Sequence, residues 1–319
     1  MTAKKLISIV TPCYNEEANV EELYRRVKEV FSKLEKYEYE HIFIDNSSTD
    51  GTVGVLKDIA KVDHRVRIIV NTRNFGGIRS SQYGLLQSRG DAVVLIWADL
   101  QGPPSLIPDF IRKWEDGYKV VKGIKTSSEE GFLLFSIRGL YYRLANKLSD
   151  VELDIHFDGF GLYDKKVIEI LRTIDDPYPY FRGLVAELGF ESASVEYKQA
   201  LRKRGTSSYR SFYRLYDCAI LGITSHSRVP LRLAIMFGFV MSFMTFLIAV
   251  SSLILKLIFW NYFPVGIAAI IVGVFSVFSI QLFFIGILGE YVGLMHMRIL
   301  KRPLVIEKER INFENGPQA

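Results

Sequence analysis

Leu6-Ile7-Ser8-Ile9-Val10-Thr11-Pro12-Cys13-Tyr14-Asn15-Glu16-Glu17 is the stretch on which the reading of the fold turns. Its first five residues are a short apolar run of the kind a strand buried on both faces requires, and Thr11 to Glu17 follow as the loop after it. From Glu17 the pattern becomes amphipathic, predicting a helix to Glu35. The same alternation repeats downstream. His41–Asp45, Arg67–Val70, Ala92–Trp97 and Lys119–Ile124 read as further buried strands, and Thr52–Val62, Ile78–Ser88 and Leu106–Glu115 as the helices between them. Strands alternating with helices imply an α/β domain with a mostly parallel, Rossmann-like sheet covered on both faces. Open sheets of this kind bind ligands at the carboxyl ends of their strands, so the loops there are the place to look for chemistry.

Three such loops are rich in polar groups. The first carries Pro12, Tyr14 and Glu16. The second, Asp45-Asn46-Ser47-Ser48-Thr49-Asp50-Gly51-Thr52, follows an acidic strand end with groups able to hydrogen-bond a sugar or base, although helix capping alone accounts for Ser47, Thr49 or Asp50 taken singly. The third reads Trp97-Ala98-Asp99-Leu100-Gln101-Gly102-Pro103-Pro104. Asp99 and Gln101, at i and i+2 on an extended segment, would offer a carboxylate and an amide oxygen to one hard cation, Mg2+ or Mn2+, with substrate phosphates completing its shell; an ordinary Asx turn is the competing reading. No GxGxxG follows the first strand and no GxxxxGK[ST] occurs, which disfavours a dinucleotide oxidoreductase and a P-loop NTPase.

Composition bounds the rest. The chain has 319 residues, 49% of them hydrophobic and 24% charged, so it must fold into about two structural units. Forty basic against 35 acidic residues give a net charge of +5, and the basic residues concentrate beside one apolar region. Cys13 and Cys218 lie far apart and match no zinc or CxxC spacing, which fits a reducing compartment. Leu233–Leu255 carries no formal charge over 23 residues, enough at about 1.5 Å per residue for a hydrocarbon core of about 30 Å. A second span is expected at Val265–Leu288, after Asn261 and Pro264, making a two-helix transmembrane hairpin. Basic residues flank both outer ends, whereas the turn offers only Lys256, so both termini are expected in the cytoplasm and the protein in the inner membrane as a multi-pass chain. The start, MTAKKLISIV, has no signal-peptide h-region. The expected organisation is a cytosolic domain at 1–200, a basic juxtamembrane segment at 201–232, the two spans within 233–289, and a cytosolic tail at 290–319. Gly266, Gly273, Gly286 and Gly289 permit close helix contacts and hence a homo-oligomer.

Taken together, the motifs Val10-Thr11-Pro12-Cys13-Tyr14-Asn15-Glu16-Glu17, Asp45 to Thr52, Asn74-Phe75-Gly76, Ala98 to Pro104 and Tyr180-Phe181-Arg182-Gly183, with the terminal hairpin, give a chain that resembles the family 2 polyprenyl-phosphate glycosyltransferases. That group includes dolichyl-phosphate mannose synthase and the bactoprenol glucosyltransferases. The resemblance implies a GT-A fold, with Pro12, Tyr14, Glu16, Asp45, Ser47 and Asp99 on a nucleotide-diphosphate sugar and Asp99 and Gln101 on a divalent ion. It implies inverting transfer of a hexose, glucose from UDP-glucose, to undecaprenyl or another polyprenyl phosphate at the lipid bilayer, with no nucleic-acid partner. Two motifs depart from the family pattern: Asn46 stands where a second acid is usual, and Trp97 replaces an acid two residues before Asp99. The family's Gly-Asp-Phe-Arg-Leu stretch appears as Phe157-Asp158-Gly159-Phe160-Gly161-Leu162, which makes Asp158 the expected second catalytic acid, with a turn role as the alternative.

A lipid phosphate acceptor calls for cations at the membrane surface. Arg202, Arg204 and Ser207, some 20 to 30 residues before the first span, resemble the family's basic Gly-x-Ser acceptor loop, and Arg138, in an aromatic stretch of interfacial character, would join them. The positive-inside rule and attraction to anionic lipid account for the same charges. The alternative from another class is a non-catalytic nucleotide-sugar-binding membrane scaffold, prompted by Asn46 and Trp97.

Overall fold

The structure, a computed structural model, describes residues 4–127, 154, 156–199, 229–258 and 267–313. Its centre is a mixed sheet of eight strands in the order β7-β5-β6-β4-β1-β2-β3-β8. The strands are β1 (Lys5–Cys13), β2 (Tyr37–Asp45), β3 (Val66–Asn71), β4 (Ala92–Leu95), β5 (Val120–Ser127), β6 (Phe157–Asp164), β7 (Ser192–Lys198) and β8 (Glu307–Ile311). Between them lie helices α1 (Glu17–Ser32), α2 (Thr52–Val62), α3 (Gly77–Leu86), α4 (Ile107–Glu115), α5 (Lys165–Thr173) and α6 (Phe181–Glu187).

The apolar strands predicted from the sequence form the parallel middle of this sheet. β4, β1, β2 and β3 run side by side in parallel, with Ile7 opposite Ala92 on one flank of β1 and Ile9 opposite His41 on the other. Successive side chains point to opposite faces, and the two faces separate cleanly. Ile7, Ile9, Phe43 and Ile68 pack beneath α1, α2 and α4 with Val20, Leu23, Leu56 and Phe110. Val10, Ile42, Ile44 and Ile69 pack on the other side against α3, α5 and α6 with Leu85, Val167 and Leu184. Each fully buried Ile or Leu contributes about 1.5–3 kcal/mol of transfer free energy, which makes both faces necessary. α3 approaches the sheet closely at Gly84, where a Cβ would lie 2.9 Å from Val10 Cγ1.

Two antiparallel strands modify the expected parallel pattern. β6 inserts between β4 and β5, antiparallel to both, pairing Leu95 with Gly161 and Ile124 with Phe157. β8 adds an antiparallel edge to β3, with Ile68 opposite Ile311. The segment 290–319, read from sequence as a tail, therefore contains an edge strand of the sheet. The strand predicted over Ala92–Trp97 ends at Leu95, because the chain turns at Ala98.

Two long helices follow the sheet: α7 (Val229–Ile258, 30 residues) and α8 (Ile267–Ile299, 33 residues). They meet through Phe237 and Phe284, whose ring centroids are 6.3 Å apart. Phe239, Leu282 and Ile299 are exposed. Among the described residues, one stretch, Ile280–Ile299, is long and apolar enough to cross a membrane by length and composition. The predicted second span ends at Leu288, and the helix α8 that contains it continues to Ile299 and reaches the sheet domain. There Leu294 packs with Tyr180, Tyr178 and Ile78, and Arg298 pairs with Asp176 at 3.3 Å.

Candidate functional site

The strand order 4-1-2-3 reverses direction between β1 and β4, so the loops leaving their carboxyl ends diverge and open a crevice, the usual ligand position in an open α/β sheet. The loop after β1 and the loop after β4 bound this crevice, and the loop after β2 is stitched to the first. Asn15 donates its N–H to Ser48 Oγ at 2.9 Å and accepts at Oδ1 from Thr49 N at 2.8 Å. Glu16 N–H donates to Thr52 Oγ1 at 2.9 Å, and Gly51 N–H donates to the Glu17 carboxylate at 2.9 Å. Asn46 N–H closes the seam onto Cys13 O at 2.9 Å. Asn15 is a residue that sequence reasoning quoted but assigned no role.

Each of the three loops holds one non-glycine residue in the left-handed region: Asn15 at φ 55°, Ser47 at φ 63° and Leu100 at φ 59°. For an Asn this costs little, but for Ser47 and Leu100 it is strain that surrounding contacts must hold. Left-handed residues on three loops, two of them strained, gather at one edge of the sheet, the kind of place where strain accompanies function.

The sequence-predicted donor residues converge here. Pro12, Glu16 and Asp45 are buried, and Tyr14 and Ser47 are half-buried. The Asp45 carboxylate accepts from Ser48 N at 2.9 Å and from the Ser48 hydroxyl. Burial nevertheless raises its pKa, outweighing those bonds. Burial also pushes the Cys13 thiol well up, and the neighbouring Asp45, Glu16 and Asp50 carboxylates push it further, so the crevice floor is acidic.

The third loop differs from its predicted geometry. Asp99 and Gln101 do not lie on an extended segment; the left-handed Leu100 bends the chain, and Asp99 Oδ1 accepts from Gln101 N–H at 3.1 Å in an Asx turn. The turn still holds the two residues together at the crevice mouth, with both half-buried. Behind it Gly102 lies against Phe160 of β6, where a Cβ would come within 3.2 Å of the ring. Two residues before Phe160, Asp158 accepts from Phe160 N at 3.1 Å and pairs with Lys125 Nζ at 2.7 Å. Burial raises the Tyr197 phenol pKa, and the Asp158 and Asp99 charges raise it further, which sets both carboxylates around one tyrosine. Arg182 donates to Phe157 O at 3.0 Å and so holds the strand beside Asp158. Lys125 and Arg182 were missed as site residues; Arg182 lay in a quoted motif, but Lys125 is one lysine on a strand and carries no signal in sequence.

A divalent ion fits this edge in part. Among the described residues no group of three His, Cys, Asp or Glu side chains forms a cage. Asp99 and Gln101 supply hard oxygen donors, and any anionic ligand entering a crevice that already holds Asp45, Glu16, Asp50 and Asp99 would gain from a cation that offsets the repulsion. Trp97, where a second acid would stand, is half-buried against the apolar clusters on both sheet faces. The predicted acceptor residues Arg138, Arg202, Arg204 and Ser207 lie outside the described residues, as does Gly266.

Residues 8–171 match the family described as Glycosyl transferase family 2, and the chain belongs to that family. It is 36% identical over 309 residues to the uncharacterized glycosyltransferase YkcC of Bacillus subtilis (strain 168), covering 97% of this chain and 95% of that protein. It is 33% identical over 305 residues to the SfII prophage-derived bactoprenol glucosyl transferase of Shigella flexneri, covering 95% and 97%. Among solved structures, the mannosyltransferase PcManGT from Pyrobaculum calidifontis in complex with GDP-Man and Mn2+ matches with a TM-score of 0.50 at 16% identity, covering 94% of this chain and 87% of that one. That likeness is one of fold, and the sheet is of the GT-A type.

Proposed function

We propose that this chain is an inverting, membrane-bound glycosyltransferase that moves a hexose from a nucleoside diphosphate sugar to a polyprenyl phosphate. The observation that carries the reading is the placement of Asp45, at the end of β2, and Asp99, on the loop after β4, at the carboxyl edge of a family 2 sheet whose chain continues into two long apolar helices. The name of the Shigella flexneri relative, a bactoprenol glucosyl transferase, supports polyprenyl phosphate as acceptor and glucose as the sugar, and UDP-glucose is the proposed donor.

In this reading Pro12, Tyr14 and Glu16 seat the nucleoside, and the buried Asp45 and Ser47 accept and donate hydrogen bonds to its base or ribose. Asp99 and Gln101 would hold Mg2+ or Mn2+, which when bound offsets the charge developing on the departing diphosphate. Asp158, fixed by Lys125 and by the Phe160 N–H, orients the sugar or acceptor. The acceptor phosphate is already anionic near neutral pH, so it needs little help from a general base; positioning and charge stabilisation do the work. Its oxygen forms a bond to the anomeric carbon from the face opposite the diphosphate, the carbon–diphosphate bond breaks, and configuration inverts. Arg138, Arg202, Arg204 and Ser207 are proposed to bind that phosphate.

The proposed organisation is a catalytic domain at 1–200, a basic segment at 201–232 and two spans within 233–289, with both termini cytoplasmic. α7 and α8, at 30 and 33 residues, have the length this needs. The test is transfer of radiolabelled sugar from a panel of nucleotide sugars into undecaprenyl phosphate by the purified chain, with and without EDTA. One donor giving labelled lipid, lost with chelator, is the expected result. No labelled lipid with any donor, from folded protein that binds nucleotide, would replace the enzyme by a nucleotide-sugar-binding scaffold.

A further inference from the structure

Three arginines gather where α8 returns to the sheet. Arg73 and Arg79 stand over the Phe75 ring, their guanidinium carbons 4.0 and 5.4 Å from its centroid. Arg302 follows α8 by three residues, and with Arg73 it lies close enough to Arg79 to depress that guanidinium's pKa, behind the larger effect of burial. Among the described residues none of the three pairs with a carboxylate. The neighbouring cations Arg298 and Lys301, by contrast, are taken up by Asp176 and Asp175. Arg73 donates to Asn74 O, and Arg79 donates to Pro303 O at 2.5 Å, while Arg79 Nε is buried and meets no acceptor. Like charges held together around one aromatic ring are unfavourable unless an anion joins them.

The same place has a second anion-attracting feature. α3 begins at Gly77 with no capping side chain, after Gly76 at φ 89°, and a Cβ at Gly76 would meet nothing within 4 Å. The first N–H groups of this ten-residue helix add partial positive charge beside Arg79, which leaves its first turn, and there is open space at Gly76. Ile78 packs with Leu294 of α8, which fixes the opening beside the end of the apolar helix.

We propose that Arg73, Arg79, Arg302 and the amino end of α3 form a binding site for a lipid-borne phosphate, on the loop after β3 that Asn74 and the Phe75 N–H tie to Asn46 of the neighbouring loop. The site rests on the reading that α8 ends at a membrane surface. Arginine's planar fork suits phosphate oxygens, and the stack on Phe75 holds two forks in place before the ligand arrives. Two lipids carry this chemistry: a phospholipid of the bilayer and a polyprenyl phosphate. By clamping such a phosphate beside Leu294, the site would fix the height of the catalytic domain over the bilayer.

The test is binding of dioctanoyl phosphatidic acid, farnesyl phosphate, dioctanoyl phosphatidylcholine and inorganic phosphate to the purified full-length chain in detergent, without donor or metal. Arg302→Gln is the main variant, because Arg302 makes no hydrogen bond among the described residues. Arg73→Gln and Arg79→Gln accompany it, with thermal unfolding read alongside. Each substitution should weaken binding about fivefold, the effect of one basic residue at an anionic surface. Weakening for phosphatidic acid alone assigns the site to bilayer lipid; weakening for farnesyl phosphate, with or without it, assigns it to a polyprenyl phosphate. Unchanged affinity for both in Arg302→Gln and Arg73→Gln overturns the site, and inorganic phosphate binding as tightly as either lipid overturns the lipid assignment. Because no sugar transfer is read, failure of the glycosyltransferase reading would leave this result standing.

Discussion

Asn46 Nδ2 donates to Asn74 Oδ1 at 2.9 Å, and this bond fastens the loop after β2 to the loop after β3. The Asn46 Oδ1 in turn accepts from Phe75 N at 2.9 Å and from Asn71 Nδ2 at 3.2 Å. An asparagine is needed because position 46 must donate and accept at once. The departure from the acidic family pattern at this position is thus built into the fold, with Asn74 as its partner.

Asn46→Asp should therefore destabilise the protein. The aspartate cannot donate to Asn74 Oδ1, and rotating the Asn74 amide would strip the acceptor from Gly76 N–H, which it holds at 2.9 Å. Asn46 is buried but Asn74 is exposed, so losing this part-buried bond costs about 0.5–1.5 kcal/mol. A lowered denaturant midpoint, with faster amide exchange at 74–76, is the expected result; an unchanged midpoint would mean that the two loops do not depend on this bond.

Restoring an acid at the next departure should also cost stability. Trp97 packs against apolar clusters on both faces of the sheet, so Trp97→Asp removes that packing and places a charge beside Asp99. A loss on the order of 3 kcal/mol follows from truncating a large aromatic. Chemical denaturation measures it, and a stable, more active Trp97→Asp would show instead that the tryptophan only blocks the site.

At Asp99, two substitutions separate structure from chemistry. Asp99→Asn keeps an oxygen for the Gln101 N–H and should preserve the Asx turn and the melting temperature, while losing the carboxylate charge. Transfer should fall at least a hundredfold in both Asp99→Asn and Asp99→Ala, as removal of transition-state charge stabilisation typically gives. Wild-type turnover by Asp99→Asn would remove the carboxylate from the mechanism.

His41 supplies a pH signature of the folded core. It is fully buried, bonded to Thr11 Oγ1 at 2.9 Å, and burial lowers its pKa to about 3. The unfolded chain binds this proton near pH 6.5, so stability rises with pH between about 3 and 6.5 and falls as the solution is acidified through that window. The slope from this group alone is about 1.4 kcal/mol per pH unit. His41→Gln should flatten the pH dependence of the denaturant midpoint over that range; an equal slope in both proteins would place the acid sensitivity elsewhere.

The parts of the fold legible in sequence are those with continuous apolar signal. Strands such as Ile7–Val10 and Phe43–Ile44, buried on both faces, are written mostly in apolar residues, and the polar loops after them stand out against that signal. β6 and β8 were not legible. Phe157-Asp158-Gly159-Phe160-Gly161 is broken by glycines, one of which, Gly161, is required because Val121 O lies 2.3 Å from where its Cβ would be. Glu307-Lys308-Glu309-Arg310-Ile311 is mostly charged, as suits an edge strand with one face in water, and its backbone ladder to β3 is accompanied by Lys57 meeting Glu309 at 2.7 Å and Tyr83 meeting Glu307 at 2.8 Å.

By itself the sequence determined the α/β core, the polar loops at one sheet edge, the long apolar segments and the resemblance to family 2 glycosyltransferases, because each is carried by neighbouring residues. Only the tertiary structure decided which distant groups meet. It bent Asp99 and Gln101 into a turn, set Lys125 on Asp158, gave Asn46 its partner in Asn74, and brought Arg302 across more than two hundred residues to Arg79. Such contacts arise from strand order and helix docking, which fix distances in space that spacing along the chain does not encode.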